Sequence, residues 1–243
     1  MVVRMLDQAN YWVSIAGTAI DAVLLGRVLQ LRLQRVYLFI TLACVLVLLF
    51  DVVDIWVWSD SNTRVRVFLY SRFLFALVYP LVGWDVFEEM GQPILKLRRV
   101  AAGRLISGLV FATIFGFIVG AFIAPSDGSG EPSLMATLGL IAWAGSVTAT
   151  LGFLWSLRRM LRSQKISVPR NTSVWMTFWQ LVTLAEVASC FCLLIVPLLK
   201  NDTATDLITL VLLVYDVVIG SWCILKLRPV QSDVPSPSAN ANV

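Results

Sequence analysis

Residues 205–226 read TDLITLVLLVYDVVIGSWCILK, and this stretch decides the fold class. A helix of this length extends about 33 Å, which is enough to cross a hydrocarbon core of about 30 Å. The segment ends in Lys226, and Asp216 is the only acidic residue in its middle. We therefore interpret it as a transmembrane helix.

Six further stretches have the same apolar character, and the predicted spans are 10–30, 36–58, 66–88, 104–124, 134–157, 173–199 and 205–226. Only 14% of the 243 residues are charged, whereas a soluble domain carries about 25%. Residues 1–228 are therefore predicted to form one all-α, seven-helix transmembrane bundle. The tail 229–243, rich in Pro, Ser and Asn, is predicted to be disordered.

Positive charge is distributed unequally between the two sets of loops. Alternate loops and span ends hold Arg27, Arg32, Arg35, Lys96, Arg98, Arg99, Arg104, Arg158, Arg159, Arg162, Lys165, Arg170, Lys226 and Arg228. Because positive loops stay in the cytoplasm, the N-terminus is predicted outside and the C-terminus inside, in a bacterial cytoplasmic (inner) membrane. The inner loops are predicted to contact anionic lipid headgroups and the acidic residues Asp85, Glu88 and Glu89.

The chain contains no histidine, which removes the commonest general base and haem ligand. No nucleophile–base pair can be assembled without it, so we expect no enzyme. We also expect no cofactor and no metal site. The four cysteines lie in apolar segments, which disfavours a disulfide framework. The net charge of +4 is explained by membrane orientation, and we expect no nucleic-acid partner.

Small residues recur every four positions in the fourth predicted span, at Gly108, Ala112, Gly116 and Gly120. Such a stripe lets two helix backbones approach closely in lipid. The fifth span offers Ala144, Thr148 and Gly152 at the same spacing. The stripe predicts either a hairpin of the fourth and fifth spans or a homodimer through the fourth.

Three carboxylic acids lie near the middle of their spans: Asp21, Glu186 and Asp216, with Tyr215 beside the last. Each costs roughly 2.5–3.5 kcal/mol to insert, and such residues face the bundle interior. No basic residue is expected at their depth, so burial disfavours the ionised form of all three together. The alternatives are protonated interhelical hydrogen bonds, a proton relay or cation site, and a polar-ligand pocket.

A second group is predicted nearer the outer side. Asp51 and Asp54 are three residues apart, so they share one helix face. Arg72 is expected at the depth of Asp51 in the adjacent antiparallel span. We predict an Asp51–Arg72 ion pair, shared with Asp54, that serves either as structural registry or as an outer gate.

The leading functional interpretation is a non-enzymatic sensor, receptor or membrane-complex subunit with a polar interior between the first, second, third, sixth and seventh spans. The alternative is a proton- or cation-coupled transporter or channel that uses the midplane carboxyl groups. Ion flux in liposomes that Asp216→Asn abolishes would separate the two interpretations.

Overall fold

The structure, a computed structural model, describes residues 2–89, 103, 106–108, 110, 114, 134–199 and 202–229. Over these residues the chain is helical and contains no strand. The long helices are α1 (Val2–Gln30), α2 (Leu38–Trp56), α3 (Ser61–Glu88), α4 (Leu134–Gln164), α5 (Arg170–Leu199) and α6 (Asp202–Lys226). A short 3-10 turn, Leu33–Arg35, connects α1 to α2.

Each of these six helices is long and apolar enough to cross a membrane. They confirm the prediction of a helical, multi-pass membrane protein, and they correspond to the first three and last three predicted spans. The predicted fourth span and the tail after residue 229 lie mostly outside the described residues. Residues 106–108, 110 and 114, which belong to the fourth span, are helical.

Helix α4 ends where the backbone turns left-handed. Lys165, directly after α4, has φ 53°. The N–H of Ile166 donates to the Leu161 carbonyl at 3.2 Å, and the N–H of Lys165 donates to the Arg162 carbonyl at 3.4 Å. These two bonds are the Schellman pattern that closes a helix C-terminus. The α4 helix therefore continues past the predicted apolar span into its basic segment before it stops.

The six helices form a closed ring in chain order, because α1 packs against α6. These two run parallel: the Asn10 amide donates to the Asp206 carbonyl at 3.3 Å, and Gly17 faces Val217. Neighbours along the chain run antiparallel, except for α3 and α4.

Helices α3 and α4 also run parallel. Ser146 donates to the Ala76 carbonyl at 2.5 Å, and Gly83, further along α3, packs on Phe153, further along α4. The chain leaves α3 at one end of the bundle and enters α4 at the other. The connection between them therefore joins opposite ends of the bundle.

The described basic residues of the predicted inner loops gather at one end, which we call the basic end. Hydrogen bonds between loops and helices hold it together. Tyr37 and Thr172 share a hydrogen bond of 2.9 Å, and Asn171 exchanges two hydrogen bonds with the backbone of Arg228. The basic residues that the sequence places in alternate loops thus lie together at one end of the folded bundle.

Asp85 has a different partner from the one predicted. Its carboxylate accepts the N–H of Ile40 at 2.9 Å, at the start of α2. The N-cap residue of α2, Tyr37, makes no side-chain cap of its own, so Asp85 caps α2 from across the bundle. Burial, reinforced by the neighbouring Asp85, raises the pKa of Glu89 above its usual value.

Candidate functional site

Five ionisable side chains, one from each of five helices, face the interior of the ring. They are Asp21 (α1), Asp51 (α2), Arg72 (α3), Glu186 (α5) and Asp216 (α6), and we call them the carboxylate layer. A residue two positions earlier on a helix points about 160° away. In all five helices that residue is exposed: Ala19, Leu49, Tyr70, Leu184 and Val214. The apolar outer faces suit lipid, and the charged faces are turned inward.

Glu186 lies at the centre of an interaction between α3 and α5. Nη1 of Arg72 lies 3.4 Å from both of its carboxylate oxygens, and the Tyr79 hydroxyl donates to Oε1 at 2.8 Å. The guanidinium carbon of Arg72 stands 4.0 Å from the Phe68 ring centroid and 4.4 Å from that of Trp143. The Arg72 guanidinium therefore binds Glu186 and is itself held in place by two aromatic rings.

The predicted Asp51–Arg72 ion pair is wrong, because Arg72 pairs with Glu186 instead. The predicted sharing with Asp54 is wrong too, since Asp54 accepts two hydrogen bonds from Arg64, at 2.8 and 3.0 Å. Arg72 and Asp51 lie at similar depth, but the helix face on which Arg72 lies determines its partner. Arg72 lies on the face of α3 that carries Tyr79 and points to α5. The expectation that the midplane acids have no basic partner fails for the same reason.

Asp21 and Asp51 lie within hydrogen-bond reach of each other. An ionised carboxylate only accepts hydrogen bonds, so two carboxyl groups can bond to each other only when one carries a proton. A proton shared between Asp21 and Asp51 would join α1 to α2. Asp51, assigned from the sequence to an outer group, belongs with the acids of the interior.

Asp216 connects this pair to Glu186. Its carboxylate is close enough to interact electrostatically with Glu186 and Asp51, and also with Asp21. The structure thus brings the three predicted midplane acids around one interior, together with Asp51. Tyr215 is not part of this group, because its hydroxyl donates to the Leu181 carbonyl of α5 at 3.3 Å.

The charges of the layer do not balance, since it has one guanidinium for four carboxyl groups. Asp216 is exposed to a water-sized probe, although it lies midway along α6 and its helix face points inward. The arrangement has the chemistry of a site that takes up protons or cations.

Sequence reasoning missed Tyr79 and Trp143 as partners of this site. Tyr79 stands seven residues after Arg72, and two helical turns place both on one face of α3. That spacing was a usable signal for Tyr79. Nothing in the sequence singles out Trp143, because its contact depends on the parallel packing of α3 and α4.

The small-residue stripe can be located at one position only. A Cβ on Gly108 would meet the backbone of Ala149 in α4 at 3.7–3.8 Å. The fourth predicted span therefore approaches α4 closely at that residue, as a hairpin requires. Ala112, Gly116 and Gly120 lie outside the described residues, and the homodimer stays a prediction.

Comparison of the chain with protein-family models, with curated proteins and with solved structures finds no match. Among the residues that the structure describes, no group of three or more Cys, Asp or Glu side chains is arranged to hold a metal ion. The functional argument therefore depends on the geometry of the carboxylate layer.

Proposed function

We propose that this chain is a seven-span membrane protein whose interior carboxyl groups bind and release protons, as in a proton-coupled transporter or channel. The observation that carries the proposal is the Asp21–Asp51 pair, two carboxyl groups on different helices within hydrogen-bond reach. Such a pair needs a bound proton to form. Asp216 is exposed on the inward face of α6 and interacts with Asp51, so it would supply a route for exchange.

The parallel packing of α3 and α4 supports seven spans rather than six. Two parallel membrane helices need an odd number of crossings between them, and residues 104–124 are the apolar stretch of suitable length. With seven crossings the chain ends lie on opposite sides. The positive-inside rule then puts the basic end in the cytoplasm, next to anionic lipid headgroups, and a bacterial inner membrane would suit this arrangement.

Proton uptake is tested with purified protein in liposomes that contain a pH-sensitive dye. Applied pH and voltage gradients should drive proton flux in the wild type, and Asp21→Asn, Asp51→Asn and Asp216→Asn should each lose it. Glu88→Gln is the matched control, because Glu88 is an exposed acid at the basic end and lies outside the layer. Equal flux in the wild type and the three layer variants would overturn the proposal.

A second candidate is a non-enzymatic sensor, receptor or complex subunit with a static polar interior. The observation that favours it is the fixed state of Glu186, which Arg72 and Tyr79 hold from α3. A carboxylate held by an ion pair and a hydrogen bond is poorly placed to pass protons on. Proton binding without flux would favour this candidate, and flux would exclude it.

A further inference from the structure

A step of seven residues toward the basic end leads from every member of the carboxylate layer to a buried side chain. Seven residues are two helical turns, so the second set lies about 10 Å nearer that end. Its members are Val28, Cys44, Tyr79, Trp179 and Cys223, and we call them the buried layer. None of the five is more than 6% exposed.

The buried layer is packed across the bundle. Cys44 of α2 and Cys223 of α6 are close enough to interact electrostatically, and the Tyr79 and Trp179 rings meet edge to face at 6.1 Å between centroids. Further toward the basic end, five apolar side chains are completely buried: Leu33, Ile40, Val82, Val86 and Leu227. That half of the interior is therefore closed to a water-sized probe.

The opposite half of the interior is more open next to the carboxylate layer on α1, α2 and α6, although Asn10 of α1 and Cys190 of α5 are buried in that half. A step of seven residues away from the basic end leads from Asp21 to Ser14 and from Asp216 to Thr209, and both are partly exposed. Asp54, one turn from Asp51 in the same direction, is also partly exposed. On α1, α2 and α6 the inward face next to the carboxylate layer thus changes from partly exposed to buried.

We infer that the interior carboxyl groups exchange protons only with the end opposite the basic end, and that the buried layer seals the basic side in this conformation. The inference deepens the proposed function and rests on it. The titratable groups involved are the five members of the carboxylate layer and Tyr79, which face one another from α1, α2, α3, α5 and α6. In the proposed orientation, the end opposite the basic end faces the outside of the membrane.

Cysteine labelling with a membrane-impermeant maleimide tests this access directly. Ser14→Cys and Thr209→Cys place a thiol on the open side, and Val28→Cys places one in the buried layer. Native Cys44 and Cys223 serve as buried controls within each variant. The reagent is added to either side of proteoliposomes of defined orientation, and peptide mass spectrometry identifies the modified residues.

The expected result is one-sided, because thiol reactivity follows exposure. Ser14→Cys and Thr209→Cys should be modified from the side opposite the basic end, whereas Val28→Cys, Cys44 and Cys223 should be protected from both sides. Labelling of Val28→Cys or Cys223 from the basic side would overturn the inference. So would protection of both open-side thiols in variants that keep the wild-type unfolding temperature.

The two proposals can fail separately. One-sided labelling without proton flux or binding would remove the proposed function but leave the asymmetric interior in place. Proton flux with equal labelling from both sides would keep the function and remove the seal.

Discussion

Arg72 and Glu186 lie 114 positions apart in the chain, yet one guanidinium nitrogen stands 3.4 Å from both oxygens of the carboxylate. Both side chains are largely buried, with 14% and 24% of their surface exposed. Removing one partner of such a pair leaves an uncompensated charge in a medium of low dielectric constant. The pair thus fixes the register of α3 against α5.

Replacing Arg72 with Met should destabilise the protein by about 3–5 kcal/mol, the usual cost of breaking a buried pair. Arg64→Met is the matched control. It breaks the Arg64–Asp54 pair, whose side chains are about a third exposed, and should cost at most about 1 kcal/mol. Reversible unfolding in mixed detergent micelles measures both changes. Equal losses for the two variants would contradict the account.

Tyr79→Phe should remove the 2.8 Å hydrogen bond to Glu186 and destabilise the protein by roughly 1.5–3 kcal/mol, the range for a bond to a charged group. A double-mutant cycle with Glu186→Gln isolates this interaction. The effect of Tyr79→Phe should shrink clearly when Glu186 is already Gln. An unchanged effect would show that the hydroxyl acts elsewhere.

Gly220→Ala should separate α1 from α6, because the new Cβ would stand 2.7 Å from Cγ2 of Ile20. Overpacking of this kind costs typically 1–3 kcal/mol. Gly26→Ala is the control, since its Cβ would meet nothing within 4 Å, and the better helix propensity of alanine should make it neutral or stabilising. The unfolding temperatures of the two variants should therefore shift in opposite directions, or the decrease in Gly220→Ala should be clearly larger than any change in Gly26→Ala.

Asp85→Ala should cost about 1 kcal/mol, because α2 loses the carboxylate that caps its N-terminus. Glu88→Ala, three residues further along α3 and exposed, should change the free energy of unfolding little. Hydrogen exchange gives a second measurement: the amide of Ile40 should lose protection in Asp85→Ala only. Unaltered exchange at Ile40 would argue against the cap.

The fold class and the separation of charge could be predicted because they depend on hydropathy and on lysine and arginine positions alone. Helix ends were predicted less well. The α4 helix runs to Gln164, seven residues beyond the predicted span, because hydropathy detects the hydrocarbon core and a helix continues into the interface. The inward direction of Asp21, Glu186 and Asp216 also followed from the cost of charge in lipid.

The partners within the site could not be predicted, because they depend on the rotation of each helix about its axis and on which helices touch. Sequence neighbours suggested that Arg72 would face α2, but α3 also contacts α5 inside the ring. A second usable signal was overlooked besides the spacing of Arg72 and Tyr79. The seven-residue step from Asp21, Asp51 and Asp216 to Val28, Cys44 and Cys223 is visible in the sequence, and it replaces a carboxyl group with an apolar or thiol side chain.

The most direct test of the central claim is infrared difference spectroscopy of the carboxylic acid C=O band in the purified protein at neutral pH. The account predicts a protonated carboxyl band in the wild type and in Glu88→Gln that weakens in both Asp21→Asn and Asp51→Asn, because the shared proton needs both groups. A wild-type spectrum without that band, or a band of unchanged intensity in both asparagine variants, would contradict a proton held between α1 and α2.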